Sequence, residues 1–318
     1  MKKCARRIGS SVIVSLACLL ALTPRAAPHD IVIFLSDSLT ATVRTMSGAQ
    51  KVVEREHPDA GFHTFRVDQF VNSRQTLIDS VKGIQPELLL TIGTAATRLA
   101  RNNFPGIPTV FAAVMYPELS GFVTSTHQPG GNMTGASIDV PVDVQFRYFK
   151  KIVPRLSRIG VLYTDSTASL IPPAAAEARR LNLTLVPLKV SDPKDLPTAL
   201  DSLAAVTEGI WSLPDPILFD PRSTKFILLH TIRKGIPFMG FSRNVVESGA
   251  LFALDFDYKA VGQQAGKIVT RILSGESPQN IAVSSADVIW FHYNEKTAKH
   301  IAITIPDELA AVAKEVYR

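Results

Sequence analysis

Three aspartates stand where a carboxylate could hold a small molecule. Asp255 and Asp257 are two residues apart at the end of an apolar run, so in a strand they would point to the same face. They could accept hydrogen bonds from a ligand ammonium or hydroxyl group, although Asp257 could instead cap a helix that starts at Tyr258. Asp215 lies in Pro214–Pro216 after another apolar run, where a cleft acid or an Asp-Pro turn would fit equally well.

No motif for catalysis is complete in this sequence. The segment Gly240–Asn244 resembles a nucleophile elbow, but Asn stands where the second Gly is needed. The segment Gly262–Lys267 is one residue short of a phosphate-binding loop, and Ile268 stands where Ser or Thr would hold Mg²⁺. The seven histidines show no metal-ligand spacing. We therefore expect a protein that is not an enzyme and that uses no cofactor or metal.

The elements that would position such side chains are strands that alternate with helices, in a pattern that occurs twice. In each copy an apolar strand runs into a polar turn: Ile31–Leu35 into Ser36–Ser38, and Ile159–Tyr163 into Thr164–Ser166. Each copy then reaches the tripeptide Gly-Ile-Pro, 75 residues after its first strand begins in one copy and 76 in the other. Apolar strands alternating with helices are typical of parallel βαβ units. The sequence therefore predicts an α/β fold with two Rossmann-like lobes, each built on a parallel sheet, and a cleft between them.

The polar residues that follow the predicted strands are the candidates for ligand binding. In parallel sheets a ligand sits at the carboxyl ends of strands, beside helix N-termini. Thr94, a candidate N-cap, and Ser166 mark helix N-termini that could offer N–H groups to a carboxylate. Tyr116 and Phe241 could form an apolar or stacking wall, although Phe241 also suits an ordinary core position. The predicted ligand-binding residues are Ser36, Asp37, Ser38, Thr94, Ala95, Met115, Tyr116, Asp165, Ser166, Thr167, Asp215, Ser242, Asn244 and Asp257.

The first 27 residues predict a signal peptide for export to the periplasm. A basic stretch precedes an apolar run, Ile8–Leu22, which is short for a membrane span, and the small residues Ala26 and Ala27 follow. An uncleaved anchor is the alternative. Lipid attachment at Cys18 is not expected, because the usual apolar residue is missing three positions before it. Both cysteines fall in this segment, so the mature chain would have no thiol chemistry.

The basic character of the chain comes almost entirely from this leader. The full chain has 34 basic and 28 acidic residues. Five basic residues and no acidic residue precede residue 28, which leaves 29 basic against 28 acidic residues and a net charge of +1. A near-neutral protein lacks the positive charge with which proteins attract nucleic acid. We expect a small molecule, and not a nucleic acid, as the ligand.

Eight motifs are spread over nearly the whole of the expected mature chain. They are Gly106–Val114 with Pro117, Pro129–Ser137, Ile159–Tyr163, Ser248–Leu251, Asp257-Tyr258, Gly262–Gly266, Ile272–Glu276 and Ile303–Pro306. Together they resemble the substrate-binding proteins of ABC transporters, in the branch that includes binders of tryptophan and other aromatic amino acids. At candidate cleft positions the sequence departs from the amino-acid binders: Tyr116 replaces a common Asp, and Pro214–Pro216 and Thr164–Ser166 also differ. The ligand of the relatives is therefore not carried over directly.

The resemblance implies a type I periplasmic-binding fold, in which two lobes joined by three hinge crossovers close over a ligand. On this basis residues 28–138 with 256–283 would form lobe 1, and residues 139–255 with 284–318 would form lobe 2. The implied function is that of an exported, monomeric receptor. It would pass a small organic ligand, such as an amino acid or related carboxylate, to an ABC permease and its ATPase. A ligand-sensing subunit for a membrane signalling protein is the alternative, and a secreted α/β enzyme is less favoured.

Overall fold

The computed structural model describes residues 29–215 and 217–318, so the predicted signal peptide and both cysteines lie outside the described residues. The first sheet has five parallel strands. These strands are β1 (Asp30–Leu35), β2 (Gly61–Arg66), β3 (Leu88–Ile92), β4 (Thr109–Val114) and β5 (Met133–Ser137). Their spatial order is β2-β1-β3-β4-β5.

The second sheet has seven strands, of which only the pair that joins β10 to β11 is antiparallel. These strands are β6 (Arg158–Tyr163), β7 (Thr184–Lys189), β8 (Gly209–Trp211), β9 (Phe238–Gly240), β10 (Phe252–Phe256), β11 (Ile289–Asn294) and β12 (Ala313–Tyr317). Their spatial order is β12-β11-β10-β9-β8-β6-β7. The predicted α/β fold with two lobes is confirmed, and the second sheet departs from the predicted parallel sheet only at its antiparallel pair β10-β11.

Helices cover both faces of each sheet. They are α1 (Thr40–Glu56), α2 (Arg74–Ile84), α3 (Thr94–Asn103), α4 (Val142–Ile152), α5 (Ile171–Arg180), α6 (Leu196–Ala204), α7 (Pro221–Lys234), α8 (Arg243–Glu247), α9 (Tyr258–Leu273), α10 (Glu295–His300) and α11 (Asp307–Ala311). Among the described residues, no helix combines the length and hydropathy that crossing a lipid bilayer requires.

The strands of the first sheet are apolar along their whole length because both faces are covered. In β1, Ile31 and Ile33 face α1 and α9, whereas Val32 and Phe34 face α2 and α3. Parallel sheets buried on both sides read as continuous apolar runs for this reason. In the second lobe, α4 and α5 pack on one face, and α6, α7 and α8 pack on the other.

Helices α1 and α9 make the closest helix contact of the first lobe, and glycines permit it. A Cβ atom at Gly262 of α9 would collide with the carbonyl oxygen of Thr45, and one at Gly48 of α1 would collide with the carbonyl oxygen of Lys259. At Gly266 an added Cβ would lie 2.7 Å from the carbonyl oxygen of Ala49. The two backbones can therefore approach only where side chains are absent.

The position of α9 makes the chain cross between the lobes three times. It leaves the first sheet after Ser137 and returns between β10 and α9. It then stays against the first lobe as far as Ser284, which forms a β-bridge with Ala136. The last crossing leads into β11 of the second sheet.

Substitution of Gly262 by Ala should destabilise the protein by about 1–3 kcal/mol or more, because the helices would have to separate. The matched control is Gly83→Ala in α2, where an added Cβ meets no atom within 4 Å. The control should be neutral or stabilising by up to about 1 kcal/mol, since Ala favours helix. Urea unfolding measures both. Equal stabilities of the two variants would show that the close approach of α1 and α9 does not hold the first lobe.

Candidate functional site

A cavity of about 40 Å³ lies between the two sheets, beside the segments in which the chain crosses from one lobe to the other. The first sheet contributes Met115 and Tyr116 after β4, and the second contributes Leu254 and Phe256 of β10. The remaining wall comes from Ile138, Asp139, Val140, Gln145, Trp211, Ser212, Pro214 and Phe241. Two adjoining cavities of about 350 and 340 Å³ also reach Tyr116 and Asp139. Their size falls within the range of small-molecule sites.

The loop after β4 is tied to the first crossing segment by a hydrogen bond at the centre of these cavities. The backbone N–H of Tyr116 donates to both carboxylate oxygens of Asp139, at 3.0 Å each. Tyr116 has a φ of 50°, and Ala113, in the bulge of β4, has a φ of 55°. Non-glycine residues rarely adopt this left-handed region, and such strain gathers at functional sites.

Asp139 and Tyr116 titrate abnormally because they are withdrawn from water. Burial raises the pKa of Asp139 to about 6, against the lowering effect of the Tyr116 N–H, and the nearby Glu118 raises it further. Burial and the proximity of Asp139 also raise the pKa of the Tyr116 phenol. The phenol therefore stays neutral, whereas Asp139 is mostly ionised at pH 7.5 but close to its titration range.

One glutamine side chain orients the tryptophan ring that lines the cavity. Trp211, at the end of β8, is 1% exposed and donates its indole N–H to Oε1 of Gln145 at 2.7 Å. The amide nitrogen of Gln145 donates to the carbonyl of Val140 at 2.7 Å. Phe241 lines the cavity and also packs edge-on against Phe219, with ring centroids 5.1 Å apart, so it serves both wall and core.

Of the fourteen residues predicted from the sequence, Tyr116 lines all three cavities, Met115 lines the first, and the other twelve line none of them. The twelve remain predictions as ligand contacts. In the first lobe, Asp37 accepts hydrogen bonds from the Leu39 N–H and the Thr42 hydroxyl. Ser38 and Ala95 are exposed.

The predicted N-cap at Thr94 is wrong, because α3 begins with Thr94 and its N-cap residue is Gly93. The Ser36 hydroxyl supplies the missing acceptor and receives the N–H of Ala96 at 3.0 Å. Gly93 has a φ of 89°, and a Cβ atom there would lie 2.6 Å from Oγ of Ser36. A glycine is therefore needed at this turn for two independent reasons.

In the second lobe, Asp215 accepts hydrogen bonds from the polar residues that follow β6. It is 1% exposed, and Oδ2 accepts hydrogen bonds from the hydroxyls of Thr164, Ser166 and Thr167 at 2.6–3.1 Å. Oδ1 accepts from the backbone N–H groups of the two described residues after Pro216, which itself lies outside the described residues. Burial would raise the pKa of Asp215, but these hydrogen bonds outweigh it and hold the pKa below its usual value. The contacts favour the turn interpretation.

The remaining predicted residues lie at helix starts or on the surface. Asp257 caps α9 by accepting the N–H of Lys259 at 2.8 Å, which favours the capping interpretation. Ser242 is the N-cap residue of α8, and Asn244 is exposed. Asp165 is exposed and forms an ion pair of 2.7 Å with Lys189.

Most of the lining residues were not predicted, and three of them shape the cleft by hydrogen bonds: Asp139, Gln145 and Trp211. Trp211 stands at the carboxyl end of an apolar strand, so the rule used for the other strands could have found it. Asp139 lies in the predicted first crossing, which is where a hinge and a cleft meet. Nothing in the local sequence marks Gln145, because its role depends on an indole 66 residues away.

Two α/β lobes that enclose an aromatic cavity at their crossing segments define a binding protein for small molecules. Residues 37–317 match the model of the family described as ABC transporter substrate binding protein. The chain therefore belongs to that family, whose members bind solutes and are not enzymes.

Individual relatives agree with this assignment. The chain is 26% identical over 228 residues to the tyrosine-binding protein of Clostridioides difficile, covering 71% of this chain and 66% of that protein. A ligand-free, open structure of a substrate binding protein with adhesive properties from Clostridium difficile has a TM-score of 0.76, with 22% identity over 91% of this chain and 99% of that one. A complex with L-Trp from Streptococcus pneumonia has a TM-score of 0.65, with 20% identity and the same coverage. The fold is that of the type I periplasmic binding proteins.

Substitution of Asp139 by Asn should raise the melting temperature at pH 7.5 by a few degrees. Because the folded-state pKa is about 6 rather than 3.8, ionisation of Asp139 costs stability that the wild type loses as pH rises from about 4 to 6. The gain is at most about 3 kcal/mol and should vanish at pH 4. Asp79→Asn, at an exposed carboxylate on α2, is the control and should change little. A less stable Asp139→Asn protein at pH 7.5 would contradict the prediction.

Substitution of Asp215 by Ala should cost about 3 kcal/mol or more, because three hydroxyls and two N–H groups lose their acceptor in a buried turn. Asp165→Ala, at the exposed neighbour of this cluster, should stay within about 0.5 kcal/mol of wild type. Urea unfolding compares the two variants. An equally small effect at both positions would remove Asp215 as the support of this turn.

Proposed function

We propose that this protein is the receptor of an ABC importer, which binds a small organic ligand between its lobes and delivers it to a permease and its ATPase. The observation that carries the proposal is a group of three adjoining cavities whose walls are drawn from both lobes and from the first crossing segment. A ligand held there contacts both lobes only when they are close together, so binding favours the closed state.

The boundaries of the two moving lobes are placed at the segments in which the chain crosses between them. In this proposal, lobe 1 comprises residues 28–138 and 256–283, and lobe 2 comprises residues 139–255 and 284–318. The packing of α9 against α1 supports the assignment of the second segment to lobe 1. The membership of β11 and β12 in the second sheet supports the assignment of the last segment to lobe 2.

The periplasm is the proposed location, and the monomer is the proposed form. Support for export comes from the basic and apolar leader before residue 28 and from the restriction of both cysteines to it. The remaining chain, with its net charge of +1, has no pronounced attraction for nucleic acid.

The ligand is proposed to be an amino acid or a related compound with an aromatic ring. Tyr116, Trp211 and Phe241 line the cavity of about 40 Å³, and Tyr116 and Trp211 also line that of about 340 Å³. Aromatic pairs gain from offset or edge-on packing. One relative is a tyrosine-binding protein and another has been solved in complex with L-Trp, which supports the same class here.

A thermal-shift screen of the purified protein against aromatic amino acids, aromatic amines, organic acids and sugars tests the receptor function. A compound present at 100 times its dissociation constant should stabilise the protein by about 2.7 kcal/mol, which corresponds to a shift of several degrees. Small-angle X-ray scattering with the same compound should show a smaller radius of gyration as the lobes close. A compound that shifts the melting temperature without compaction would contradict closure, and no shift from any class would contradict the receptor function.

A further inference from the structure

The charged side chains that line the cleft are all acidic. Asp139 and Glu118 line the cavity of about 350 Å³, and Asp139, Asp143 and Glu177 line the adjoining one of about 340 Å³. Among the described residues that line the three cavities there is no Lys, Arg or His. A carboxylate ligand would therefore find like charge in the cleft and no cationic side chain to pair with.

Two of these acids are compensated within the protein, and two are not. Asp143 pairs with Arg147 at 2.9 Å, and Glu177 pairs with Arg180 at 3.1 Å, each on its own helix. Within residues 29–215 and 217–318, Asp139 and Glu118 take part in no ion pair. Asp139 accepts the backbone N–H of Tyr116, and Glu118 accepts that of Thr126. The cleft thus holds two negative charges that no side chain balances.

The helix ends that face the cavities offer little to an anion. Helix α5 begins Ile171-Pro172-Pro173, and Pro173 lines two of the cavities. Proline has no N–H group, so two of the first three positions of α5 cannot donate to a ligand carboxylate. At the start of α4, Asp143 already places a carboxylate near the positive end of the helix dipole.

We infer that the cleft selects ligands with a net positive charge, namely amines on an aromatic body whose ammonium group binds Asp139. This inference rests on the proposed receptor function and specifies its ligand class. The ring of the ligand packs against Tyr116 and Trp211, and Glu118 adds attraction from the rim of the site. The aromatic and apolar walls suit an organic ammonium better than a bare metal ion, which prefers a full shell of oxygen ligands.

The physical reason is the cost of the buried carboxylate in the empty protein. A carboxylate that is partly withdrawn from water without a counter-charge is unfavourable, and an arriving ammonium removes that penalty while it forms a charge-assisted hydrogen bond. A zwitterionic amino acid makes the same contact but brings its own carboxylate toward Asp139 and Glu118. Specificity then arises as much from repulsion of the wrong ligand as from attraction of the right one.

Isothermal titration with matched ligands tests the inference on protein purified after expression of the full chain. Tryptamine, L-tryptophan and indole-3-propionate share one ring system and carry net charges of about +1, 0 and −1 at neutral pH. Tyramine, L-tyrosine and 3-(4-hydroxyphenyl)propionate repeat the series on a phenol. In at least one series the amine should bind at least tenfold more tightly than the amino acid, and the acid should show no binding.

Substitutions test whether Asp139 causes the selectivity for amines. Asp139→Asn should weaken binding of the amine at least tenfold, and Glu118→Gln should weaken it about two- to threefold. Asp79→Asn on α2 lies outside the cavities and should leave the affinity unchanged. The affinity of the wild type for the amine should fall as the pH drops below about 6, where Asp139 takes up a proton. The affinity of Asp139→Asn should not change over the same range.

The outcomes separate this inference from the function on which it rests. Equal or tighter binding of the amino acid or the acid overturns the selection for cations but leaves the receptor function intact. If neither amine binds but a compound of another class stabilises the protein, the selection for cations is also overturned and the receptor function is retained. Unchanged amine binding by Asp139→Asn also overturns the inference. If no compound of any class binds, both the inference and the receptor function fail.

Discussion

The approach of α9 to α1 is the contact on which the rest of the architecture depends. Helix α9 follows β10 of the second sheet, yet its glycines let it lie directly on the backbone of a helix of the first lobe. Because only the glycine positions allow this approach, and side chains such as Val53 and Ala265 pack beside them, the contact is specific in register as well as close. The chain is thereby drawn back across the gap between the lobes, and the crossings that result border the cavity.

The residues that shape the cleft also connect the two lobes. Asp139 lies in the first crossing, and its carboxylate holds the backbone of Tyr116 from the loop after β4. Gln145, at the start of the next helix, holds both Val140 of the same crossing and the indole of Trp211. A ligand that touches these groups therefore acts on the segment about which the lobes would turn. In the proposed receptor, binding and closure would share the same few hydrogen bonds.

The fold could be predicted from the sequence to a greater extent than the site, and the difference has a physical cause. Continuous apolar runs such as β1 and β3 are buried on both faces, so hydrophobicity alone marks them. The rule that ligands lie at strand ends also found Tyr116. At Ser36 and Asp257 the structure shows another use of the side chain, because each accepts a backbone N–H group beside the start of a helix. Capping and ligand binding employ the same residue types.

Gln145 and Trp211 show why the rest of the site could not be predicted. Their hydrogen bond joins residues that only the folded second lobe brings together. The local sequence does indicate a helix around Gln145 and a strand before Trp211, but not that one orients the other. A cavity wall assembled from distant segments follows from three-dimensional packing and not from a spacing rule.

The interleaved course of the chain also sets the order in which the protein can fold. The first lobe lacks one of its covering helices until Leu273 has emerged, and the second sheet lacks two strands until the last residues have emerged. During synthesis, the face of α1 that contains Gly48 therefore remains uncovered until α9 is available. Contacts between such distant segments slow folding, because long loops must close before they form. A chain built in this way can complete both lobes only when nearly its whole length is available.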